Sequence, residues 1–273
     1  VIESALSPMA TSRQGAVGLW QFMLHTGKAY GLKYNSLVDE RRDPYKSTQA
    51  AARYLKDLYD IYHDWNLVLA AYNCGPGTIN KAIRRSGGEK DFWALYNYLP
   101  KETRSYVPAF IAANYIMTYY CDHDISPAEM KMPAGTDTIQ INRNVHLQQI
   151  ADVCQMNIDE LRALNPQYKK DIIPGNTEPY VLRLPTDYIG KFIDLQDSIY
   201  AYKEDVYNNK RKTVSVKAVS NNSSNGKAVY HRIRNGETLG GIAAKYGVSV
   251  SQLRRLNGLK NNNIRAGRSL RIR

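Results

Sequence analysis

A repeat in the second half of the chain limits its architecture more than any other feature. When the 273-residue sequence is shifted by 92 positions, ten residues coincide without a gap, from the pair Ile141 and Ile233 to the pair Gly175 and Gly267. Each copy has the pattern of a short strand, two short helices and a closing strand. A unit that recurs in this way is one supersecondary module. The chain is therefore predicted to be multidomain α+β, with an N-terminal segment followed by two small βααβ modules.

The first 125 residues have helical periodicity and no competing strand-like alternation. One helix is predicted from about Ser47 onward, with Ser47 and Thr48 as candidate N-caps. A second starts near Trp65 and must stop at Gly75-Pro76-Gly77, because proline cannot continue a helical hydrogen-bond ladder. A third is predicted over residues 102–120. This N-terminal domain is expected to be all-α.

These patterns divide the chain into four parts. The first copy of the repeat closes with the strand Tyr180–Leu184, after about four residues that the second copy lacks. After it, residues 189–207 have the apolar spacing of an amphipathic helix that packs back on the protein. The small polar run Ser220–Gly226 then predicts a flexible tether. The predicted parts are a helical domain (1–125), a degenerate module (138–186), a helix with linker (187–228) and a C-terminal module (229–273).

Most of the net charge of +12 lies in the last module, since residues 229–273 carry ten basic and one acidic side chain. Such a surface suits an anionic partner: nucleic acid, lipid headgroups or an acidic wall polymer. Nucleic acid is disfavoured, because Tyr230 and Tyr246 are the module's only aromatic residues and offer little base stacking. A steep salt dependence of binding would indicate nucleic acid instead. No apolar run approaches the roughly 18 residues of a membrane-spanning helix.

The three cysteines match neither a disulfide framework nor metal-ligand spacing. They are interpreted as small core residues, with a pair between Cys74 and Cys121 left open for an oxidising compartment. The sequence therefore predicts no metal and no cofactor.

A candidate general acid stands at Glu3. Trp20 and Phe22 follow in the same N-terminal stretch, and partial desolvation near such side chains raises a carboxyl pKa toward neutrality. Protonation of a glycosidic oxygen needs such a group. Four motifs occur here in order: Glu3-Ser4, the run from Gly15 to Gln21, the run from Ala71 to Gly77, and Glu102-Thr103 with Tyr106-Val107. Together they closely resemble the soluble lytic transglycosylase family, whose catalytic domain is an all-α, goose-type lysozyme-like fold.

The resemblance implies a role for each matching residue. Glu3 would be the only catalytic acid/base in cleavage of the MurNAc-(β1,4)-GlcNAc bond of peptidoglycan. The substrate's own N-acetyl group would assist, and the products would have 1,6-anhydro-MurNAc ends. Ser12, Gln21, Tyr72, Asn73, Glu102 and Tyr106 would bind substrate. Two alternatives stay open: a hydrolytic muramidase with Glu102 as second carboxylate, and a non-catalytic peptidoglycan-binding protein.

The repeats resemble LysM modules, which bind polymers that contain N-acetylglucosamine. In the C-terminal copy the resemblance rests on the run Asn235-Gly236-Glu237-Thr238-Leu239 and, further along, on Ile242-Ala243, Leu256-Asn257, Ile264 and Gly267. It implies glycan contacts from Gly236, Thr238, Leu239, Asn262 and Ile264. The first copy has Asn144-Val145-His146-Leu147 where the second has G-E-T-L. It is therefore interpreted as a structural remnant packed on the catalytic domain.

Only two residues precede Glu3, whereas in the family a helix leads into the catalytic glutamate. A processed or truncated chain is therefore expected, with a signal or N-terminal lipid anchor upstream left open. The expected partner is the peptidoglycan glycan strand. The expected location is the bacterial cell envelope: the periplasm, with anchoring in the outer membrane left open.

Overall fold

A computed structural model gives the fold, and the chain divides into two compact units, Val1–Val216 and Lys217–Arg273. Each unit is described by itself below. The structure describes residues 1–128, 132–207, 230–233, 237–246, 248, 250–259, 261, 264–265 and 267–272.

The first 128 residues are helical, as predicted. They begin with a turn-rich stretch, residues 1–23, in which isolated β-bridges join Val17 to Thr11 and to Phe22. The helices are α1 (Leu24–Ala29), α2 (Pro44–Tyr62), α3 (Trp65–Cys74), α4 (Pro76–Arg85), α5 (Phe92–Leu95) and α6 (Lys101–Thr118), with 3₁₀ turns at Tyr96–Tyr98 and Tyr120–His123.

Helix α2 begins one turn earlier than the sequence indicated. Its N-cap is Asp43, whose carboxylate accepts hydrogen bonds from the backbone N–H groups of Tyr45 and Lys46, both at 3.0 Å. Asp before Pro44 is a favourable start, since proline at the first helical position loses no hydrogen bond. The predicted caps, Ser47 and Thr48, are wrong. Both hydroxyls instead donate to backbone carbonyls one turn back.

Helix α3 ends at the predicted point and lies at the centre of the domain. Gly75 stops it with φ of +83°, a conformation that glycine adopts without penalty. Helix α3 packs against α2, α4 and α6. The core that they share includes Leu58, Leu67, Val68, Ala71, Ile79, Phe92, Leu95 and Val107.

The first repeat copy forms two antiparallel strand pairs around two helices. Strand β1 (Thr136–Ile141) pairs with β4 (Tyr180–Pro185), and β2 (Asn144–His146) pairs with β3 (Ile172–Pro174). Between them lie α7 (Leu147–Cys154) and α8 (Ile158–Leu164), and after them α9 (Thr186–Asp194), α10 (Gln196–Ala201) and α11 (Glu204–Tyr207).

The single amphipathic helix predicted over residues 189–207 is wrong, because the chain forms α9, α10 and α11 there, but α9 and α10 do pack back on this module as expected. Phe192, Ile199 and Tyr200 are buried in its core. The Gln149 side chain, also buried, donates to the backbone carbonyl of Tyr202 at 2.7 Å. The segment after β4 is therefore part of the module's packing.

The module also shares its core with a loop of the helical domain. Leu37 and Val38 are buried in the same cluster as the module's strands and helices. An antiparallel β-bridge between Val38 and Tyr168 joins the two parts through two backbone hydrogen bonds, from Asp39 N–H to the Gln167 carbonyl (2.9 Å) and from Lys169 N–H to the Leu37 carbonyl (2.8 Å). This confirms that the first copy packs on the helical domain.

The second unit has the same βααβ order. Strand β5 (Tyr230–Arg232) pairs antiparallel with β6 (Ser269–Arg271), with α12 (Leu239–Tyr246) and α13 (Val250–Asn257) between them. The core contains Ile233, Leu239, Ile242, Ala243, Leu253, Leu270 and Ile272. The predicted tether, Ser220–Gly226, lies outside the described residues.

One asparagine explains why the repeats coincide at the end of their second helix. Asn257 donates to the Leu253 and Arg271 carbonyls and accepts from the Arg271 N–H. In the first copy, Asn165 makes the equivalent three bonds with Leu161 and Arg183. In each module, the asparagine carboxamide thus makes the pair of hydrogen bonds with the closing strand that a backbone peptide group of a neighbouring strand would make. It thereby links the end of the second helix to that strand. Arg183 and Arg271 are 88 positions apart instead of 92, which confirms the four extra residues of the first copy.

Two smaller expectations are tested by the coordinates. All three cysteines are free thiols, and Cys154 is buried as expected for a core residue, whereas Cys121 is exposed. Within the described part of the chain, no helix has the length and apolar character needed to cross a membrane.

Candidate active site

A cleft of about 780 Å³ opens in the helical domain between the 1–23 segment and helices α3 and α6. Its walls come from residues 2–26, from Tyr54 of α2, from residues 72–76 and from residues 102–109, and α3 packs against both α2 and α6. All seven residues expected at the catalytic site from the sequence line it: Glu3, Ser12, Gln21, Tyr72, Asn73, Glu102 and Tyr106.

Glu3 is half-buried and held in place from two directions. The Tyr106 hydroxyl donates a hydrogen bond to its Oε1 at 2.5 Å. The neighbouring Ser4 hydroxyl donates to the Leu19 carbonyl at 2.9 Å, which fixes the backbone beside it. Burial raises the pKa of Glu3, and the Tyr106 hydrogen bond opposes part of this rise by stabilising the carboxylate. The carboxyl group therefore retains its proton at higher pH than an exposed glutamate does.

Tyr72 contributes its ring to the cleft and its hydroxyl to the scaffold. The hydroxyl donates to the Trp20 carbonyl at 2.8 Å, and the ring meets those of Trp20 and Phe22 edge-on. Burial, with the nearby Glu3 carboxylate as a further cause, raises the pKa of Tyr72, so this phenol stays neutral. Phe22 is buried, as a core residue should be, while Trp20 is only partly covered.

Asn73 is oriented by Thr103, a buried residue of α6. The Thr103 hydroxyl donates to the Asn73 Oδ1 at 2.8 Å, and Thr103 is almost fully buried. Thr103 lies in the third position of α6. Its place beside Glu102 in the E-T-x-x-Y-V motif was the available signal.

Ser12 and Gln21 hold the loop that forms the other wall. The Ser12 Oγ accepts from the Ala16 N–H at 3.0 Å, and the Gln21 side-chain amide donates to the Gly18 carbonyl at 2.8 Å. Gly18 is required here: with φ of +88°, a Cβ atom would stand 1.9 Å from the Arg41 carbonyl oxygen. The backbone of Arg41 can therefore approach this position closely only because no side chain stands there.

The loop is tied to the domain by a buried ion pair. Arg41 binds Asp39 through Nε (2.9 Å) and Nη2 (2.8 Å), and its Nη1 donates to the Gly15 and Phe22 carbonyls, each at 3.1 Å. The sequence reasoning did not identify either charged residue. The cleft wall thus depends on a segment, residues 37–41, that also packs against the first βααβ module.

The second carboxylate of the cleft, Glu102, lies in the first turn of α6 and is exposed. Its negative charge is a minor cause of the raised pKa of Glu3. No group of three or more His, Cys, Asp or Glu suited to a metal ion occurs among the described residues.

In the C-terminal unit, the expected glycan contacts are only partly described. Thr238 is exposed just before α12, Ile264 packs partly against the core, and the Leu239 side chain is buried within it. Leu239 as a whole is 1% exposed, so it offers a ligand almost no surface and the expected glycan contact from it is wrong. Gly236 and Asn262 lie outside the described residues. The neighbouring Glu237 carboxylate lies 2.7 Å from Nε2 of the buried His231.

Comparison with known proteins gives three family matches along the chain. Residues 1–94 match the Transglycosylase SLT domain, residues 135–201 the LysM-like domain of lytic transglycosylase MltD, and residues 231–273 the LysM domain.

Individual relatives cover different shares of the chain. It is 30% identical over its full length to membrane-bound lytic murein transglycosylase D of Escherichia coli K12, but spans only 58% of that protein. It is 37% identical over 102 residues, 33% of this chain and 21% of the relative, to membrane-bound lytic murein transglycosylase F of Maricaulis maris. The crystal structure of the 70 kDa soluble lytic transglycosylase SLT70 of E. coli matches 44% of this chain and 20% of its own, with 31% identity and a TM-score of 0.38.

The domain matches coincide with the observed architecture. The SLT match covers Glu3 and the helical domain as far as residue 94, so α6 with Glu102 and Tyr106 lies outside it, and the other two matches fall on the two βααβ modules. By these matches, the chain joins an SLT domain to an MltD-type LysM-like domain and a C-terminal LysM domain.

Proposed function

We propose that this protein is a peptidoglycan lytic transglycosylase that cleaves the MurNAc-(β1,4)-GlcNAc bond and leaves 1,6-anhydro-MurNAc ends. One observation carries the proposal: a half-buried carboxyl group with a raised pKa, Glu3, lies in a large cleft of an SLT domain and is oriented by Tyr106. A protonated carboxyl in such a cleft is what a glycosidic leaving group needs.

In the proposed mechanism, Glu3 gives its proton to the glycosidic oxygen as the bond to C1 of MurNAc breaks. The carbonyl oxygen of the substrate's N-acetyl group bonds to C1 and takes the place of a second carboxylate. Glu3, now ionised, then accepts the proton of the C6 hydroxyl while O6 bonds to C1 and displaces the N-acetyl oxygen. The ring closes, and Glu3 is again protonated.

The Tyr106 hydrogen bond supports both roles of Glu3, because it orients the carboxyl group and stabilises the carboxylate left after proton transfer. Tyr72 offers the substrate its ring edge, since its hydroxyl proton is committed to the Trp20 carbonyl. Asn73 is the proposed amide contact to substrate, held in orientation by Thr103.

The proposed role of the LysM domain is to hold the glycan strand and raise the local substrate concentration near the SLT domain. The LysM match and its exposed arginines, Arg232, Arg255, Arg265, Arg268 and Arg271, support binding to an anionic wall polymer. The LysM-like domain is proposed to act chiefly as a structural support, since it shares a core with residues 37–38. The proposed location is the bacterial cell envelope, on the periplasmic side.

The test is mass spectrometry of purified peptidoglycan digested by the wild-type protein, by Glu3→Gln and by Glu89→Gln. Glu89 is an exposed glutamate that does not line the cleft, so its variant controls for the substitution. Anhydro-muropeptides, lighter by one water than hydrolysed products, are expected from the wild type and the control but not from Glu3→Gln. Reducing-end products would indicate a muramidase that uses Glu102. Sedimentation with the wall without products would indicate a binding protein.

A further inference from the structure

A second recess, which we call the basic recess, opens beside the cleft and has a volume of about 660 Å³. It lies along α1 and the loop that follows. Gln14, Met23 and His25 line both the cleft and the recess, so the two spaces adjoin along these three side chains. The residues that define it for this argument are Gln14, Met23, His25, Lys28, Tyr34 and Arg41.

The charge of the basic recess is the opposite of that at the catalytic end. None of the described residues that line it is Asp or Glu, whereas the cleft has Glu3 and Glu102. Asp39 neutralises Arg41, so the excess positive charge comes from Lys28, which is exposed in the last turn of α1. The exposed Arg13 adds to it from the adjoining part of the cleft.

The recess also has an apolar surface. Met23 and Tyr34 are both large, exposed side chains. The Tyr34 ring has three cations around it: Lys169 Nζ at 4.3 Å from its centroid, the Arg41 guanidinium at 5.5 Å and Lys28 Nζ at 6.0 Å. Such contacts hold the cationic groups near the ring. The surface therefore suits a ligand that joins carboxylates to aliphatic segments, more than a compact inorganic anion.

We propose that the basic recess binds the carboxylate-bearing peptide substituent of the glycan strand while the sugar chain lies in the cleft. This inference rests on the proposed function, because it assigns a part of the same substrate to a second surface. Since the two spaces adjoin, a substituent that branches from a sugar in the cleft is placed to reach the recess across Gln14, Met23 and His25. Lys28 is then a specificity-determining residue that acts on peptide-bearing strands and not on bare glycan.

The experiment measures two properties of the whole chain. Equilibrium binding is measured with the Glu3→Gln protein, and kcat/KM with the protein that retains Glu3. Each is determined for glycan strands with their peptides, for the same strands with carboxylates amidated, and for strands freed of peptide by an amidase. Lys28→Glu is compared with Lys81→Glu, an equal charge reversal at an exposed position of α4 outside both spaces.

Lys28→Glu is expected to lower affinity and kcat/KM for peptide-bearing strands about tenfold, and Lys28→Ala about two- to fivefold, as for an exposed ion pair. Both should leave bare and amidated strands unchanged, and the difference should shrink at high salt. Equal effects of Lys28→Glu and Lys81→Glu, or equal binding of free and amidated peptides, would overturn the proposal. If no strand is cleaved but Lys28 still governs peptide-dependent binding, only the proposed function fails.

Discussion

The buried pair of Asp39 and Arg41 makes the sharpest test of how the cleft is held together. Their side chains are 3% and 7% exposed and meet through two hydrogen bonds of 2.9 and 2.8 Å. Asp39→Ala leaves the Arg41 guanidinium buried without its counter-charge, with the Gly15 and Phe22 carbonyls as its remaining partners. Removal of one partner from a buried pair costs about 3–5 kcal/mol of unfolding free energy.

The chain supplies its own control. Lys56 and Asp60 form an ion pair at 2.6 Å, four residues apart on α2, with side chains 73% and 58% exposed. Because solvent screens such a pair, Asp60→Ala should cost only about 0.3–0.5 kcal/mol. The double variant Asp39→Leu/Arg41→Met should lose less stability than Asp39→Ala, since it leaves no unpaired buried charge.

Equilibrium unfolding in urea, followed by tryptophan fluorescence, measures these differences. All three tryptophans, Trp20, Trp65 and Trp93, lie within the SLT match, so the signal reports on the helical domain. Two results would contradict this prediction. One is an equal loss of unfolding free energy in Asp39→Ala and Asp60→Ala, and the other is a double variant that is the least stable of the set. Either result would mean that the 37–41 segment does not hold the cleft wall by this pair.

Three further predictions follow from the site and the modules. Tyr106→Phe removes a hydrogen bond that lowers the pKa of Glu3. Because Glu3 must start protonated, the fall of kcat/KM on the alkaline side of its pH profile should move to higher pH. An unchanged pH profile would contradict this. Gly18→Ala should destabilise far more than Gly15→Ala, which meets no atom within 4 Å and costs about 1–2 kcal/mol for its positive φ alone; thermal unfolding compares them. Asn165→Ala should cost about 1–3 kcal/mol in urea unfolding, because it leaves buried backbone groups of β4 without partners; a loss under 0.5 kcal/mol would contradict it.

The residues around Glu3 show what the sequence motifs predict, namely which side chains line the cleft, and what they do not predict, namely the hydrogen-bond partners of those side chains. Ser12 was expected from its distance to Glu3, and the other six residues expected in the cleft lie in the four motifs. The motifs did not indicate that Tyr72 would give its hydroxyl proton to Trp20, or that Thr103 would be buried against Asn73. Those partners depend on how α3 packs against α6, and nothing in the local sequence of either helix fixes that contact.

The amino-acid order was enough to predict the helical N-terminal domain, the end of α3 at Gly75 and the two βααβ modules, which differ by four residues in length. These features are local: helical periodicity, a residue that permits positive φ, and a pattern that recurs along the chain. Three other features could be seen only in the folded chain. Leu37 and Val38 complete the core of the first module, and Asp39 and Arg41 tie that core to the cleft wall. A basic recess adjoins the cleft. Such contacts join residues far apart in sequence, and their energy comes from burial and charge pairing that no local pattern records.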